Sequence, residues 1–185
     1  MGVRLSVRYD PVRGEAIAVP TSTLVEGVVY RLQAEGFRDL DGIEAEPARI
    51  EFVTGANADG TYEVGTTSWE DVREFFSTRC ASAGCHTGEA PPLGLDFSSA
   101  EGVERTALGT IAVQTGGREE FPIRGLRGFP IVDVIAGGGR PSTSYLIYKM
   151  LGDEHIQGDP MPPEGADLRE IELVADWILA GAPTR

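Results

Sequence analysis

The segment Cys80-Ala-Ser-Ala-Gly-Cys85-His86 joins the chain's only two cysteines to one of its two histidines. Each thiol could add across a vinyl group of a haem to form a thioether, and the adjacent imidazole could then bind the iron. The usual spacing for this chemistry leaves two residues between the cysteines, whereas four separate them here. All four are small and can bulge without meeting the edge of a porphyrin. Two cysteines followed directly by a histidine therefore predict covalent haem attachment through Cys80 and Cys85, with His86 as an iron ligand.

Two other chemistries are open to the same residues. In an oxidising compartment, Cys80 and Cys85 could close a small disulfide. A zinc site could use both thiols together with His86 and His155, but ligands that are adjacent in sequence make tetrahedral binding awkward. Haem attachment is favoured over both because of the elements that surround the motif.

A second iron ligand is expected within Asp159-Pro160-Met161-Pro162-Pro163. A thioether is a weak, neutral ligand, so something other than the iron must hold its loop in place. Prolines fix φ and push the preceding residue towards extended geometry, which predicts a stiff loop around Met161. His155 is the alternative ligand and would give a bis-histidine iron of lower potential. Met150 falls in an apolar helical segment, where core packing is expected.

Two helices are predicted to position these residues. The first begins with Ser68 as its N-cap, carries apolar residues at helical spacing and ends at Cys80. The second begins at Asp167, carries an apolar stripe through Ile178 and ends at Gly181. A shorter helix is expected from Ala100, after an N-cap at Ser98 or Ser99.

The order of helix, cysteine–histidine motif and Met161-Pro162-Pro163 resembles the class I c-type cytochromes, among which C-x4-C-H sites are also known. The resemblance covers residues 66–185 and implies an all-α domain whose first and last helices cross. It implies one covalently bound haem c, tethered by Cys80 and Cys85, with His86 and Met161 as the axial ligands.

The same resemblance implies contacts around the haem. A proline carbonyl after the motif, from Pro91 or Pro92, would accept a hydrogen bond from the free ring N–H of the proximal histidine. Leu95 and Trp177 would contact the cofactor, and Phe75 or Phe76 would pack against Trp177 or Ile178. An arginine from residues 109–141 could pair with a haem propionate.

Residues 1–55 follow a different pattern. Apolar and polar residues alternate over 3–9, 30–34 and 48–52, which predicts half-buried strands. Segments 30–34, 38–42 and 52–55 resemble the second half of a bacterial Ig-like β-sandwich, a module of cell-envelope proteins. A complete sandwich takes about 100 residues, so only part of one would be present. The predicted architecture is therefore multidomain: a partial Ig-like β-segment (1–55), a linker (56–65) and an all-α cytochrome c-like domain (66–185).

Composition restricts the partners and the location. Lys+Arg 16 against Asp+Glu 29 gives a net charge of −13, which argues against binding to nucleic acid or an anionic membrane. No apolar run reaches the length of a membrane span. The N-terminus does not read as a signal peptide, yet haem attachment takes place outside the bacterial cytoplasm. We therefore expect a periplasmic, cell-envelope or extracellular protein, cut from a longer precursor.

The expected function is single-electron transfer with a redox partner protein, by an electron carrier and not an enzyme. One alternative is a haem enzyme or small-ligand sensor in which Met161 leaves the iron, although His155 is the only spare histidine for acid–base chemistry. Another is a structural envelope module with a Cys80–Cys85 disulfide. Neither the redox potential nor the oligomeric state is predicted.

Overall fold

The computed structural model describes residues 2–55, 67–115, 125–135 and 138–185. The expected linker at 56–65 lies outside these ranges, as do Arg118 and Arg124. The strands are β1 Leu5–Asp10, β2 Glu15–Pro20, β3 Val29–Ala34, β4 Ala48–Val53, β5 Val134–Ile135 and β6 Gly138–Gly139. The α-helices are α1 Trp69–Phe75, α2 Ala100–Thr106, α3 Tyr145–Leu151 and α4 Leu168–Leu179. Short helical turns cover Phe76–Cys80, Pro92–Gly94 and Pro141–Thr143.

The N-terminal strands form two separate antiparallel hairpins. Leu5 lies opposite Pro20 in the first hairpin, and Val29 lies opposite Val53 in the second. The three strands predicted from alternating residues are confirmed, whereas β2 was not predicted. The expectation of an all-α region at 66–185 is wrong, because β5 and β6 form a short antiparallel hairpin within it. The expectation of half-buried strands is wrong for β1, whose apolar side chains Leu5, Val7 and Tyr9 are exposed, and for β4, whose side chains are all exposed. No second layer of described residues covers this strand, so its apolar side chains stay in contact with solvent.

Local sequence signals account for the helix ends. Asp71 accepts hydrogen bonds from both the backbone N–H and the hydroxyl of Ser68, and Asp167 and Glu170 form a capping box at the start of α4. The Ser99 hydroxyl accepts from the N–H of Gly102 at the start of α2. The predicted helix before the cysteines is confirmed, and its last turn widens to a π-helical turn that ends at Cys80.

The core joins the first and last helices around Phe76. This side chain is fully buried and packs against the rings of Trp69, Phe75, Phe97 and Trp177. The Phe76 and Trp177 centroids lie 5.4 Å apart with the rings nearly perpendicular, which is a favoured aromatic geometry. The contact that the cytochrome resemblance implied between these helices is therefore present.

The N-terminal segment rests on this helical unit without entering its core. Among the described residues, every buried hydrophobic side chain lies between Trp69 and Ala182. Val12 and Leu40 pack partly buried against that core, and the Arg13 guanidinium lies 2.8 Å from the Glu172 carboxylate on α4. Across the same residues, no helix has both the length and the apolar composition to span a bilayer.

His155 also connects the two parts. Its side chain is buried, with Nδ1 2.7 Å from Oδ1 of Asp153 and Nε2 3.0 Å from Oδ1 of Asp41. Burial alone would lower the pKa of His155, but hydrogen bonds to the two carboxylates and their charges outweigh burial and raise the pKa. Because only the protonated imidazole can donate to both carboxylates, this connection depends on pH.

We predict that this connection loses strength as the pH rises above the ordinary histidine pKa. A folded-state pKa above the ordinary value of about 6.5 means that the stabilisation is complete below that value and is lost as the pH rises through the folded-state pKa. Denaturant unfolding at a series of pH values should show this decline in wild type and a flatter profile in His155→Gln. A decline of equal size in both proteins would contradict the assignment to His155.

Candidate functional site

A cavity of about 680 Å³ opens beside the cysteine–histidine motif. This volume falls within the range of roughly 300–1,000 Å³ that is typical of ligand and cofactor pockets. The walls are mostly apolar and come from the motif, the segment 92–97, the segment 110–114, α3 and the Met161 loop. Six of the predicted site residues line the cavity: Cys80, Cys85, His86, Pro92, Leu95 and Met161.

The four residues between the cysteines fold into a closed turn. The carbonyl of Cys80 accepts from the N–H of His86 at 3.0 Å, and the N–H of Cys85 donates to the Ser82 carbonyl at 2.9 Å. Gly84 has φ +83°, a left-handed conformation that glycine adopts without strain. One tight turn thus accommodates the longer spacing between the cysteines, and Cys80, Cys85 and His86 all line the same cavity.

The surroundings of Cys80 favour a neutral sulfur. Cys80 and Cys85 are free and partly buried. Burial raises the pKa of Cys80 to about 12, with the nearby Arg79 guanidinium opposing this effect. A zinc ligand or a redox thiol has to ionise, whereas a thioether carries no charge. The environment of Cys80 therefore fits covalent attachment better than zinc binding.

The imidazole of His86 sits in a partly buried position against Phe97. The ring centroids are 5.6 Å apart at 82°, and the Phe97 N–H donates to the His86 carbonyl at 2.8 Å. Nδ1 is buried without a partner in hydrogen-bonding geometry. Burial lowers the pKa of His86, and the Pro92 carbonyl and the backbone of Leu95 only partly oppose it. The ring is therefore neutral at neutral pH, which is the form that binds metals.

Met161 reaches the cavity from the far end of the chain. It is partly buried, and Pro162 and Pro163 line the cavity beside it. Its N–H donates to the carbonyl of Lys149 at 2.9 Å. Met150, expected to be a core residue, is 4% exposed but also borders this cavity. Met150 and Met161 thus both line the cavity that His86 also lines.

Three other predicted site residues do not line the cavity. Pro91 does not line the cavity, and its carbonyl accepts from the N–H of Gly94. Pro92 does line it, but the expected hydrogen bond from His86 to a proline carbonyl is not formed, because Nδ1 has no partner among the residues that the structure describes and the Pro92 carbonyl accepts from the N–H of Leu95. Trp177 is fully buried against Phe76, and its Nε1 donates to the Pro183 carbonyl at 2.9 Å. His155 is held by Asp41 and Asp153. The contacts of Trp177 with Phe76 and of His155 with Asp41 join residues distant in sequence, which local sequence patterns do not encode.

The charged residues at the cavity also differ from those expected. Arg79 and Arg105 line it, whereas Arg127 does not and Arg140 pairs with Asp133 at 3.0 Å. The position of Arg79 follows from its adjacency to the first cysteine. Lys149, which sequence analysis missed, is buried on α3 and also lines the cavity, and burial lowers its pKa while Asp159 opposes this.

Comparisons with known proteins give no relative: no family model matches the chain, and no match is found among the curated proteins or the solved structures. The functional assignment therefore depends on the residues that line the cavity.

We predict that Phe97 is required to hold His86 in place. Phe97 is 3% exposed, and Phe97→Ala should lower the free energy of unfolding by about 3–5 kcal/mol because it removes packing against both His86 and Phe76. Phe37, which is 46% exposed, provides the matched control, and Phe37→Ala should change stability by only about 0.5 kcal/mol. Equal losses in urea unfolding would contradict this role.

Proposed function

We propose that residues 66–185 form a monohaem c-type cytochrome unit that transfers single electrons. Cys80 and Cys85 are the covalent tethers, and His86 and Met161 are the axial iron ligands. The observation that carries the proposal is that these residues line one cavity, although Met161 is far from the others in the chain. Two sulfur atoms, an imidazole and a thioether form a complete donor set for such a haem.

The residues that surround the cavity also suit a haem. A mostly apolar cavity matches the faces of a porphyrin, and the neutral imidazole and buried neutral sulfur avoid placing unpaired charge beside it. When bound, haem supplies a one-electron iron couple, whose potential is tuned by axial ligands, burial and nearby hydrogen bonds. Arg79 and Arg105 are the arginines at the cavity, but Arg79 already pairs with Glu164 and Glu170, and Arg105 pairs with Asp96.

The residues that line the cavity fit electron transfer better than catalysis by a haem enzyme. Among the described residues that line it, the phenol of Tyr145 hydrogen-bonds the Gln114 carbonyl and the Gln157 N–H. The ammonium group of Lys149 is also bonded to backbone carbonyls. These polar groups are therefore engaged in holding the chain and do not stand ready to transfer protons to a substrate.

The function also implies a partner and a compartment. A single-electron carrier exchanges electrons with a redox partner protein, and a net charge of −13 favours a partner with a cationic docking face. Because thioether attachment of haem takes place outside the bacterial cytoplasm, we place the unit in the periplasm, the cell envelope or the extracellular space. The β-hairpins would form part of an envelope module, as their resemblance to Ig-like segments implies.

The first prediction from this proposal concerns covalent attachment. The full chain, exported in a bacterium that matures c-type cytochromes, should gain the mass of one haem that survives acid and organic extraction. Cys80→Ser and Cys85→Ser should each leave one thioether and shift the pyridine haemochrome spectrum, and the double variant should lose covalent haem. Ser82→Ala, within the same turn, is the matched control. An intact chain without haem that is two hydrogen atoms lighter than the reduced form would support the disulfide and end the haem assignment.

The second prediction concerns the sixth ligand. Met161→Ala should abolish the methionine-to-iron charge-transfer band, lower the potential and allow carbon monoxide to bind, because the proline-flanked segment then presents no thioether to the iron. Met150→Leu is the control and should leave the spectrum nearly unchanged. If Met150→Leu or His155→Ala removes the wild-type spectrum while Met161→Ala keeps it, the ligand assignment is wrong.

A further inference from the structure

Lys149 is the only lysine in a chain whose other cationic side chains are all arginine. It lies on α3 and is 8% exposed. An ammonium group is costly to bury unless its donors are hydrogen-bonded. The contacts of the Lys149 side chain explain why an ammonium group is buried here.

Lys149 holds the loop before Met161 through three hydrogen bonds. Its Nζ donates to the carbonyls of Gln157 at 2.7 Å and Asp159 at 2.8 Å. Its own carbonyl accepts from the Met161 N–H at 2.9 Å. Hydrogen bonds from an ammonium group are stronger than those between neutral groups, so one residue fixes the loop relative to α3.

The loop has little regular structure of its own. Residues 152–167 contain neither helix nor strand, and Gly152 and Gly158 both have positive φ. A Cβ added at Gly158 would lie 3.8 Å from Nζ of Lys149, so the loop curves closely around the ammonium group. Carbonyls in such a loop lack the N–H partners that a helix or sheet provides, and the lysine donates to two of them.

We propose that Lys149 is a positioning residue that presents the Met161 thioether to the iron. This inference rests on the proposed function. A thioether is a neutral ligand and binds iron weakly, so a loop that moves freely would leave the iron for part of the time. Lys149 prevents this by holding the backbone on both sides of Pro160, and its Nζ is occupied by the loop carbonyls instead of serving as a ligand.

The experiment compares Lys149→Leu and Lys149→Arg in the full chain, matured with haem. Lys149→Leu keeps an apolar side chain on α3, removes the donors and adds no sulfur to the cavity, whereas Lys149→Arg keeps donors and charge. Arg169→Met removes one exposed cation from α4 and is the control for charge alone. The readouts are the methionine-to-iron charge-transfer band, the midpoint potential and amide hydrogen exchange over residues 157–161.

Lys149→Leu should retain covalent haem, weaken the charge-transfer band, lower the potential and speed exchange in the loop by about tenfold or more. Lys149→Arg should restore much of the band, and Arg169→Met should match wild type. A full band with unchanged loop exchange in Lys149→Leu would overturn the role of Lys149, as would an equal loss in Lys149→Arg and Lys149→Leu. If the wild-type protein does not attach haem, the proposed function itself is refuted. The pyridine haemochrome spectrum of the wild type detects that outcome independently of the Lys149 variants.

Discussion

The packing of Phe76 is the interaction on which the candidate site depends. Its fully buried ring contacts Trp177 on α4 and Phe97 in the segment after the motif. Phe97 in turn packs against His86. The same aromatic cluster therefore closes the core, orients the turn that carries the cysteines and supports the imidazole. A mutation that loosens this cluster would change stability and site geometry together, because they share the same contacts.

Under the proposed function, the weak thioether ligand Met161 sets the second constraint. His86 follows a rigid turn, whereas Met161 comes from a loop without helix or strand that has to return to the same cavity. Prolines limit the backbone of this loop, and Lys149 connects it to α3. His155 holds the preceding residues to the N-terminal segment through Asp41. The β-segment thus contacts the loop region directly, so the two predicted modules share an interface.

Local features of the chain were predictable, and long-range ones were not. Caps at Ser68 and Asp167 and helical spacing of apolar residues gave the first and last helices because those signals act within one or two turns. The cysteine–histidine motif and the proline-flanked Met161 pointed to residues that do line one cavity. The partners of His155, the separation of the hairpins and the contacts of Lys149 depend on residues distant in sequence. Such pairings carry no periodic signal, so only the three-dimensional structure shows them.

The central claim is that the cysteine–histidine turn and the Met161 loop hold one iron between them. X-ray absorption at the iron edge of the purified, matured protein tests this most directly because it reports the elements bound to the metal. The account predicts nitrogen ligands together with one sulfur ligand, and the loss of that sulfur in Met161→Ala but not in Met150→Leu. A first shell of nitrogen alone in the wild-type protein, or a sulfur signal that persists in Met161→Ala, would contradict it.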